Sequence, residues 1–128
     1  MMKVFIDTDV IIDFTYGENS ILKKLLTKQF QCKIQLVINP VVIAEFFTDK
    51  KMQDETKMAE MKELFGFFTP LEITTNIGFK AAELLRHDTT LALGDALIAA
   101  TCVTQNIELA TRNKKHFAKV RDLQFWQN

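Results

Sequence analysis

The chain enters its first buried segment with VFIDTDVIIDF at residues 4–14. The run Val4–Ile6 is short, apolar and continuous, as is typical of a buried β-strand. Asp7 and Asp9 follow at the point where the chain leaves that strand. Because Asp is also a preferred helix-capping residue, these two carboxylates are consistent with either a helix start or a ligand site.

Outward from this stretch, short apolar segments alternate with helical patterns. The predicted strands are residues 3–6, 35–38, 71–73, 107–110 and 123–125. The predicted helices cover 10–14, 20–30, 40–47, a Met- and Phe-rich segment between Asp49 and Pro70, 75–86 and 95–105. This alternation predicts an α/β fold with a parallel sheet between helices, in which ligands bind at the carboxyl ends of the strands.

The composition is that of one ordinary globular domain, predicted to span residues 1–128, with 48% hydrophobic residues. Its 16 basic and 16 acidic residues cancel, so any nucleic-acid contact must come from a local patch. Cys32 and Cys102 are far apart and without neighbouring His, which favours reduced thiols over a disulfide framework or zinc site. No signal peptide or membrane span is predicted, so a cytoplasmic location is expected.

Two further carboxylates lie in apolar helices. Glu45 is the single charge in PVVIAEFF (40–47), and a helix that is apolar on every side is expected to be buried. A buried carboxylate is costly unless it is paired or bound to metal; the alternative is that Glu45 reaches solvent at the sheet edge. Asp95 falls in the first turn of a helix, where free amides favour its ionised form, as they would for an ordinary capping Asp.

Four blocks in a fixed order carry a family resemblance: residues 4–14, VIAEF (42–46), GDALIAAT (94–101) and LATRNKKHF (109–117). With these blocks the chain resembles a PIN-domain ribonuclease of the VapC toxin type. The resemblance implies a three-layer α/β/α sandwich with a central parallel sheet of about five strands. It also implies an acidic pocket for Mg²⁺ or Mn²⁺, cleavage of RNA, a cognate antitoxin protein as partner, and a homodimer.

Asp7, Glu45 and Asp95 match the family's three principal acidic positions. The fourth position, often Asp in relatives, falls on Asn113 here, whereas Asp9 lies where many relatives carry Asn or another small polar residue. Either Asp9 or Asn113 is therefore a candidate fourth metal ligand, and the number of metal ions, one or two, stays open.

The hypothesis for catalysis is in-line attack of water on an RNA phosphodiester. Asp7 and Asp95 would hold the metal, and Glu45 would hold it or orient the water. Residues 112–122 contain five basic residues and one acidic residue, a local excess of four positive charges suited to the RNA backbone. The candidate substrate-binding residues are Thr8, Thr111, Arg112, Asn113, Lys114 and Lys115. Asp88 and His116 are interpreted as exposed side chains.

Two rival interpretations remain. A haloacid-dehalogenase-like phosphatase would use Asp7 as nucleophile and Asp9 as acid and base, but no second Asp follows Asp95 in residues 96–100. A PIN-like module without catalysis, which only binds RNA or protein, is favoured by Asn113. The Met- and Phe-rich segment is expected to be mainly core, with some surface left for a partner.

Overall fold

A computed structural model describes residues 1–17 and 20–127. Within these residues, four strands form one parallel sheet in the order β3-β2-β1-β4. The strands are β1 (Met2–Ile6), β2 (Ile34–Ile38), β3 (Thr69–Pro70) and β4 (Glu108–Ala110). In register, Val4 of β1 lies opposite Leu36 of β2 on one side and Glu108 of β4 on the other. β1 is thus an inner strand with a neighbour on each side, and its last three residues are fully buried.

Helices flank this sheet and confirm the predicted α/β sandwich. They are α1 (Thr8–Thr15), α2 (Ile21–Phe30), α3 (Pro40–Phe47), α4 (Glu55–Phe65), α5 (Thr75–His87) and α6 (Leu93–Gln105), with 3₁₀ turns at Lys50–Gln53 and Lys114–Phe117. Among the described residues, no helix has both the length and the apolar character needed to cross a membrane.

The start of α3 follows from the sequence Asn39-Pro40. The Asn39 side chain accepts hydrogen bonds from the amides of Val41 (3.0 Å) and Val42 (3.3 Å), and Pro40 occupies the first helical position. The Asn39 amide also donates to Thr101 Oγ1 in α6 at 3.1 Å, and Asn39 is fully buried. This one side chain fixes the entry of α3 and ties it to α6.

The sheet differs from the prediction at both of its edges. The predicted strand 71–73 is displaced to Thr69–Pro70, and only the Leu71 amide continues the ladder, donating to Ile38 O at 2.7 Å, before the chain turns into α5. The predicted strand 123–125 is an isolated parallel bridge between Leu109 and Phe125. The segment pairs there through just two backbone hydrogen bonds, both to Leu109, so the described sheet has four strands instead of about five.

The Met- and Phe-rich segment is two elements where one helix was predicted. Asp49 caps the 3₁₀ turn, and Asp54 caps α4 by accepting from the amide of Thr56 at 2.9 Å. No residue of α4, all of which the structure describes, is fully buried. Phe68, just beyond α4, is buried and packs on Phe65 with ring centroids 5.3 Å apart. The segment therefore contributes only partly to the core.

Candidate functional site

Asp7 lies at the carboxyl end of the inner strand β1, directly after a buried strand as the sequence predicts. Its backbone amide donates to Ala110 O at 3.0 Å, which extends the pairing of β1 with β4 by one residue. Its side chain caps α1, with Oδ1 accepting from the Thr8 amide at 2.8 Å. Asp7 is only 6% exposed. The fold thus holds this carboxylate at the sheet edge where ligands bind in such folds.

The second Asp7 oxygen is held by the segment that follows β4. Thr111 Oγ1 donates to Asp7 Oδ2 at 2.8 Å, and Thr111 is itself buried. A hydroxyl has one proton to donate. Since Thr111 gives its proton to Asp7, and Thr8 gives its own to Glu45 at 2.7 Å, the geometry uses both hydroxyls to orient carboxylates.

Asp7 carries the most perturbed carboxyl of the site. Burial, followed by the charge of Asp9, raises its pKa from 3.8 to about 7, and Asp95 contributes in the same direction. Hydrogen bonds from Thr111 and Thr8 oppose the rise. The position therefore disfavours a further negative charge and would favour a bound cation.

Asp95 lies in the first turn of α6 and is half-buried. Burial raises its pKa, and the nearby charge of His116 opposes that rise. The helix N-cap is Ala92, which makes no side-chain capping hydrogen bond, so Asp95 is the acidic group at this helix start. His116 is exposed, as predicted, although its charge acts on Asp95.

Glu45 is exposed, which corrects the expectation that α3 would bury it. The helix buries Val42 and Phe46, whereas Ile43 is 37% exposed, so the apolar sequence of α3 is not buried all round. The carboxylate reaches solvent at the sheet edge, and there its Oε1 accepts from Thr8 Oγ1 at 2.7 Å. Glu45 is therefore stabilised by a hydroxyl and by water.

The other Glu45 oxygen lies against the start of α6. A Cβ atom added at Gly94 would come within 2.8 Å of Glu45 Oε2. The absence of a side chain at position 94 is thus what admits the Glu45 carboxylate against the first turn of α6. Glu45 contacts Thr8, the residue after Asp7, and lies against Gly94, the residue before Asp95. The structure therefore brings the three predicted acids to one edge of the sheet.

The donor set fits a hard divalent cation. Its side-chain ligating atoms are carboxylate and hydroxyl oxygens, the ligand type that Mg²⁺ and Mn²⁺ prefer. Among residues 1–17 and 20–127, no three His, Cys, Asp or Glu side chains form a ready-made metal cage. Mg²⁺ usually keeps several waters and takes one or two protein carboxylates, so this arrangement suits it.

Asp9 faces the segment after β4 and is engaged by it. Its Oδ2 accepts from Asn113 Nδ2 at 2.9 Å and from the Arg112 amide at 3.3 Å, with Thr111 Oγ1 at 3.5 Å. Burial raises the pKa of Asp9, and the hydrogen bond from the Arg112 amide opposes the rise. The two candidates for a fourth metal ligand, Asp9 and Asn113, are thus hydrogen-bonded to each other.

The basic candidates stand around an open cavity beside Thr111. Arg112, Lys114 and Lys115 are exposed, and with Asn113 and His116 they line a cavity of about 550 Å³. Lys114 Nζ lies 5.8 Å from the centre of the Phe125 ring, a cation–π distance. Positive charge therefore borders the acidic cluster, as the local excess of basic residues predicts.

Sequence reasoning missed three features of the site. Asp13 pairs with Arg112 (Oδ1 to a guanidinium nitrogen, 2.9 Å), and its spacing of four residues from Asp9 on α1 was the available signal. Gly94 was identified only as part of the GDALIAAT block, and its contact with Glu45 was not predicted. Asp88, interpreted as exposed, is buried, and its side chain accepts from the Thr90 amide at 3.0 Å in the turn before α6.

Comparison with known proteins gives a consistent result. The sequence model of the PIN domain family matches residues 4–123. Ribonuclease VapC of Rickettsia bellii is 27% identical over 96% of this chain and 94% of its own length. Ribonuclease VapC1 of Rickettsia felis is 29% identical over the same shares of the two chains.

Solved structures share the fold. The chain resembles one from the crystal structure of VapBC2 of Rickettsia felis bound to a promoter DNA fragment, with a TM-score of 0.81 and 19% identity, over 98% of this chain and 100% of that one. A chain of VapBC-1 from nontypeable Haemophilus influenzae gives a TM-score of 0.76 at 20% identity, over 98% of each chain.

Proposed function

Because this chain belongs to the PIN domain family, we propose that it is a Mg²⁺- or Mn²⁺-dependent endoribonuclease that acts as the toxin of a toxin–antitoxin pair. The observation that carries the proposal is the state of Asp7. Its carboxylate is buried, held at both oxygens, and has a pKa raised to about 7 beside Asp9 and Asp95. Two curated relatives that align over nearly the whole chain are named ribonucleases.

Asp7 and Asp95 would hold the metal ion, and Glu45 would hold it or orient the attacking water. When bound, the ion supplies positive charge that offsets the charge developing on the phosphodiester oxygens and makes a bound water more acidic. The chain itself orients the carboxylates. The Thr8 amide and the Thr111 hydroxyl fix Asp7, and the Thr8 hydroxyl fixes Glu45, which keeps its other oxygen towards Gly94.

RNA would approach along the basic segment after β4. Lys114 and Lys115 are exposed beside the acids and would contact backbone phosphates, with the Asn113 amide close by. The Arg112 guanidinium is 2.9 Å from Asp13, so part of its charge is already neutralised. An open cavity of this kind accommodates single-stranded or loop RNA better than a closed pocket would.

The partner would be an antitoxin. The two solved neighbours described above are chains from VapBC structures, and this chain has a partly exposed apolar groove to offer. Ile12 of α1 and Tyr16 at its C-terminal cap, with Met52 and Met61, line a groove of about 220 Å³ that also contains Glu45. An apolar segment docked there would lie next to a proposed catalytic residue. A homodimer and a cytoplasmic location complete the proposal.

The first test is incubation of purified protein with structured cellular RNA, with and without Mg²⁺ or Mn²⁺. We expect discrete fragments that require the metal and are reduced at least about 100-fold by Asp7→Asn, since that change removes a ligand charge while keeping the shape. Asp54→Asn is the matched control, because it makes the same substitution at the exposed cap of α4.

The alternatives give different results. Metal binding with intact RNA, from folded protein free of antitoxin, would instead support a binding module. Hydrolysis of a small phosphomonoester without RNA cleavage would support the phosphatase. Arrest of growth on expression, relieved by coexpression of a neighbouring gene, tests the toxin role separately from the nuclease activity.

A further inference from the structure

The turn formed by residues 111–113 is held against α1 by one carboxylate. Asp9 accepts from the Asn113 side chain at 2.9 Å and from the Arg112 amide at 3.3 and 3.4 Å to its two oxygens. These donors all belong to the segment directly after β4. Asp9 is thus engaged by protein donors, chiefly at Oδ2, in the state that the structure describes.

The same turn determines the orientation of Asp7. Thr111 donates to Asp7 at 2.8 Å and accepts from the Asn113 amide at 3.0 Å. A displacement of the turn would therefore move the Thr111 hydroxyl and release one oxygen of Asp7. Asp9 can influence the proposed catalytic carboxylate through this chain of contacts without binding metal or substrate.

Asp9 and Asn113 also have complementary chemistry. One supplies a single negative charge and acceptor oxygens, and the other supplies amide protons. A carboxylate facing an amide makes the same side-chain hydrogen bond when the two groups exchange places. By contrast, two carboxylates at such a short distance would repel each other strongly.

We propose that Asp9 and Asn113 act as one exchangeable carboxylate–amide pair that holds the 111–113 turn in place, and that Asp9 is a positioning residue for the site. This role replaces that of a fourth metal ligand. The pair itself is a property of the fold, whereas its effect on cleavage rests on the proposed ribonuclease function.

The decisive comparison uses Asp9→Ala, Asn113→Asp and the exchanged variant Asp9→Asn/Asn113→Asp, all without metal. We expect Asp9→Ala to speed hydrogen exchange of the Arg112 amide by about tenfold or more, because that amide loses its acceptor. We expect Asn113→Asp alone to lower the Tm by about 5 °C, and the added Asp9→Asn to recover more than half of that loss. Gln53→Glu, which adds a charge at an exposed residue of the first 3₁₀ turn, is the control for net charge.

Additive effects of the two substitutions on Tm, or an unchanged hydrogen-exchange rate of the Arg112 amide in Asp9→Ala, would show that Asp9 and Asn113 do not act as a pair. In RNA cleavage we expect Asp9→Ala to lower kcat with little change in KM, and the exchanged variant to regain most of kcat. Loss of kcat in the exchanged variant, with the turn still protected, would overturn the positioning role. If the unmodified protein cleaved no RNA, hydrogen exchange and Tm would still test whether Asp9 and Asn113 act as a pair. Failure of the pair and failure of the proposed ribonuclease function are therefore distinguishable.

Discussion

At the scale of the residue, Asp7 combines poor solvation with strong anchoring. Both of its oxygens accept hydrogen bonds, yet its pKa is raised to about 7 because burial and the neighbouring acids outweigh those bonds. The ionised form of Asp7 is thus favourable only when a cation is bound beside it. Residues adapted to a ligand in this way commonly reduce the stability of the ligand-free protein.

This leads to a prediction for the metal-free protein. The pKa of Asp7 is higher in the folded state than the value of 3.8 in the unfolded chain, so Asp7 lowers the free energy of unfolding as pH rises from about 4 to 7. A shift of this size corresponds to at most about 4 kcal/mol at pH 8. We expect Asp7→Asn to raise the Tm by about 5 °C or more at pH 8 and to change it little at pH 4.5.

Thermal unfolding with a chelator present measures this difference. Asn can still accept from the Thr8 amide, and its own amide can donate to Thr111 Oγ1, so the packing is preserved. Asp49→Asn, at an exposed cap, serves as control. Equal Tm values for Asp7→Asn and unmodified protein at pH 8 would contradict the electrostatic account. Added Mn²⁺ should stabilise the unmodified protein and not Asp7→Asn.

Sequence reasoning at this scale succeeded where the chain carries a local signal. Asp7 follows an apolar run, and Asn39-Pro40 indicates a helix start, so both were predictable from a few neighbouring residues. The exposure of Glu45 was not predictable, because it depends on which face of α3 meets α6. The contacts of Asp9 with residues 111–113 join positions about a hundred apart, which no local pattern encodes.

At the scale of the element, α3 and α6 meet through Gly94. The Glu45 carboxylate occupies the space that a side chain at position 94 would fill, at 2.8 Å from the added Cβ atom. Glu45 is exposed and held by one side-chain hydrogen bond, from Thr8, so a methyl group would displace the end of this long side chain at little cost to folding. Gly94 therefore matters more for the position of Glu45 than for the stability of α6.

We expect Gly94→Ala to leave the Tm unchanged or raise it slightly, since Ala favours a helix by up to about 1 kcal/mol over Gly. RNA cleavage should fall at least about tenfold, because the added methyl group displaces the Glu45 carboxylate from the first turn of α6, which carries Asp95. Gly78→Ala is the matched control: it lies in α5 with no atom within 4 Å of an added Cβ, so cleavage should not change. Full cleavage by Gly94→Ala would show that the close approach of Glu45 is dispensable.

The order and type of the elements were largely predictable, whereas the edges of the sheet were not. Continuous apolar runs marked β1 and β2, and the helices that Ser20 and Thr74 cap begin within one residue of the predicted positions. The edge strand β3 has two residues, too few for a periodic pattern, and the expected last strand makes one bridge. Such short pairings are decided by how the chain turns afterwards, which is a tertiary effect.

At the scale of the whole molecule, the balance of charge limits how RNA would bind. Sixteen basic and sixteen acidic residues leave no net charge, and the excess of four positive charges lies within residues 112–122. Binding through three or four phosphates predicts a slope of log K against log salt of about −2 to −3 for single-stranded RNA. A generally basic nuclease would give a steeper slope.

The corresponding measurement uses Asp7→Asn protein and a labelled single strand over a range of salt concentrations. Adding Lys114→Gln and Lys115→Gln should weaken binding and reduce the slope by about 1.4, or roughly 0.7 for each phosphate that is no longer neutralised. The control pair, Lys23→Gln and Lys24→Gln, removes the same charge from the exposed side of α2 and should leave the slope unchanged. Equal slopes for the two double variants would exclude a specific RNA path beside the acids.

The hydrogen bond from Thr111 to Asp7 also determines when the site can form during synthesis of the protein. The bond joins residues that are 104 positions apart, and β1 can pair with β4 only after the chain between them has been made. At a synthesis rate of 5–20 residues per second, about 5 to 20 s separate the two ends of this contact. The hydrogen-bonding environment of Asp7 in the nascent chain is therefore incomplete throughout this interval. If the chain cleaves RNA as proposed, the nascent chain would be inactive towards the RNA around it until residue 111 has been made.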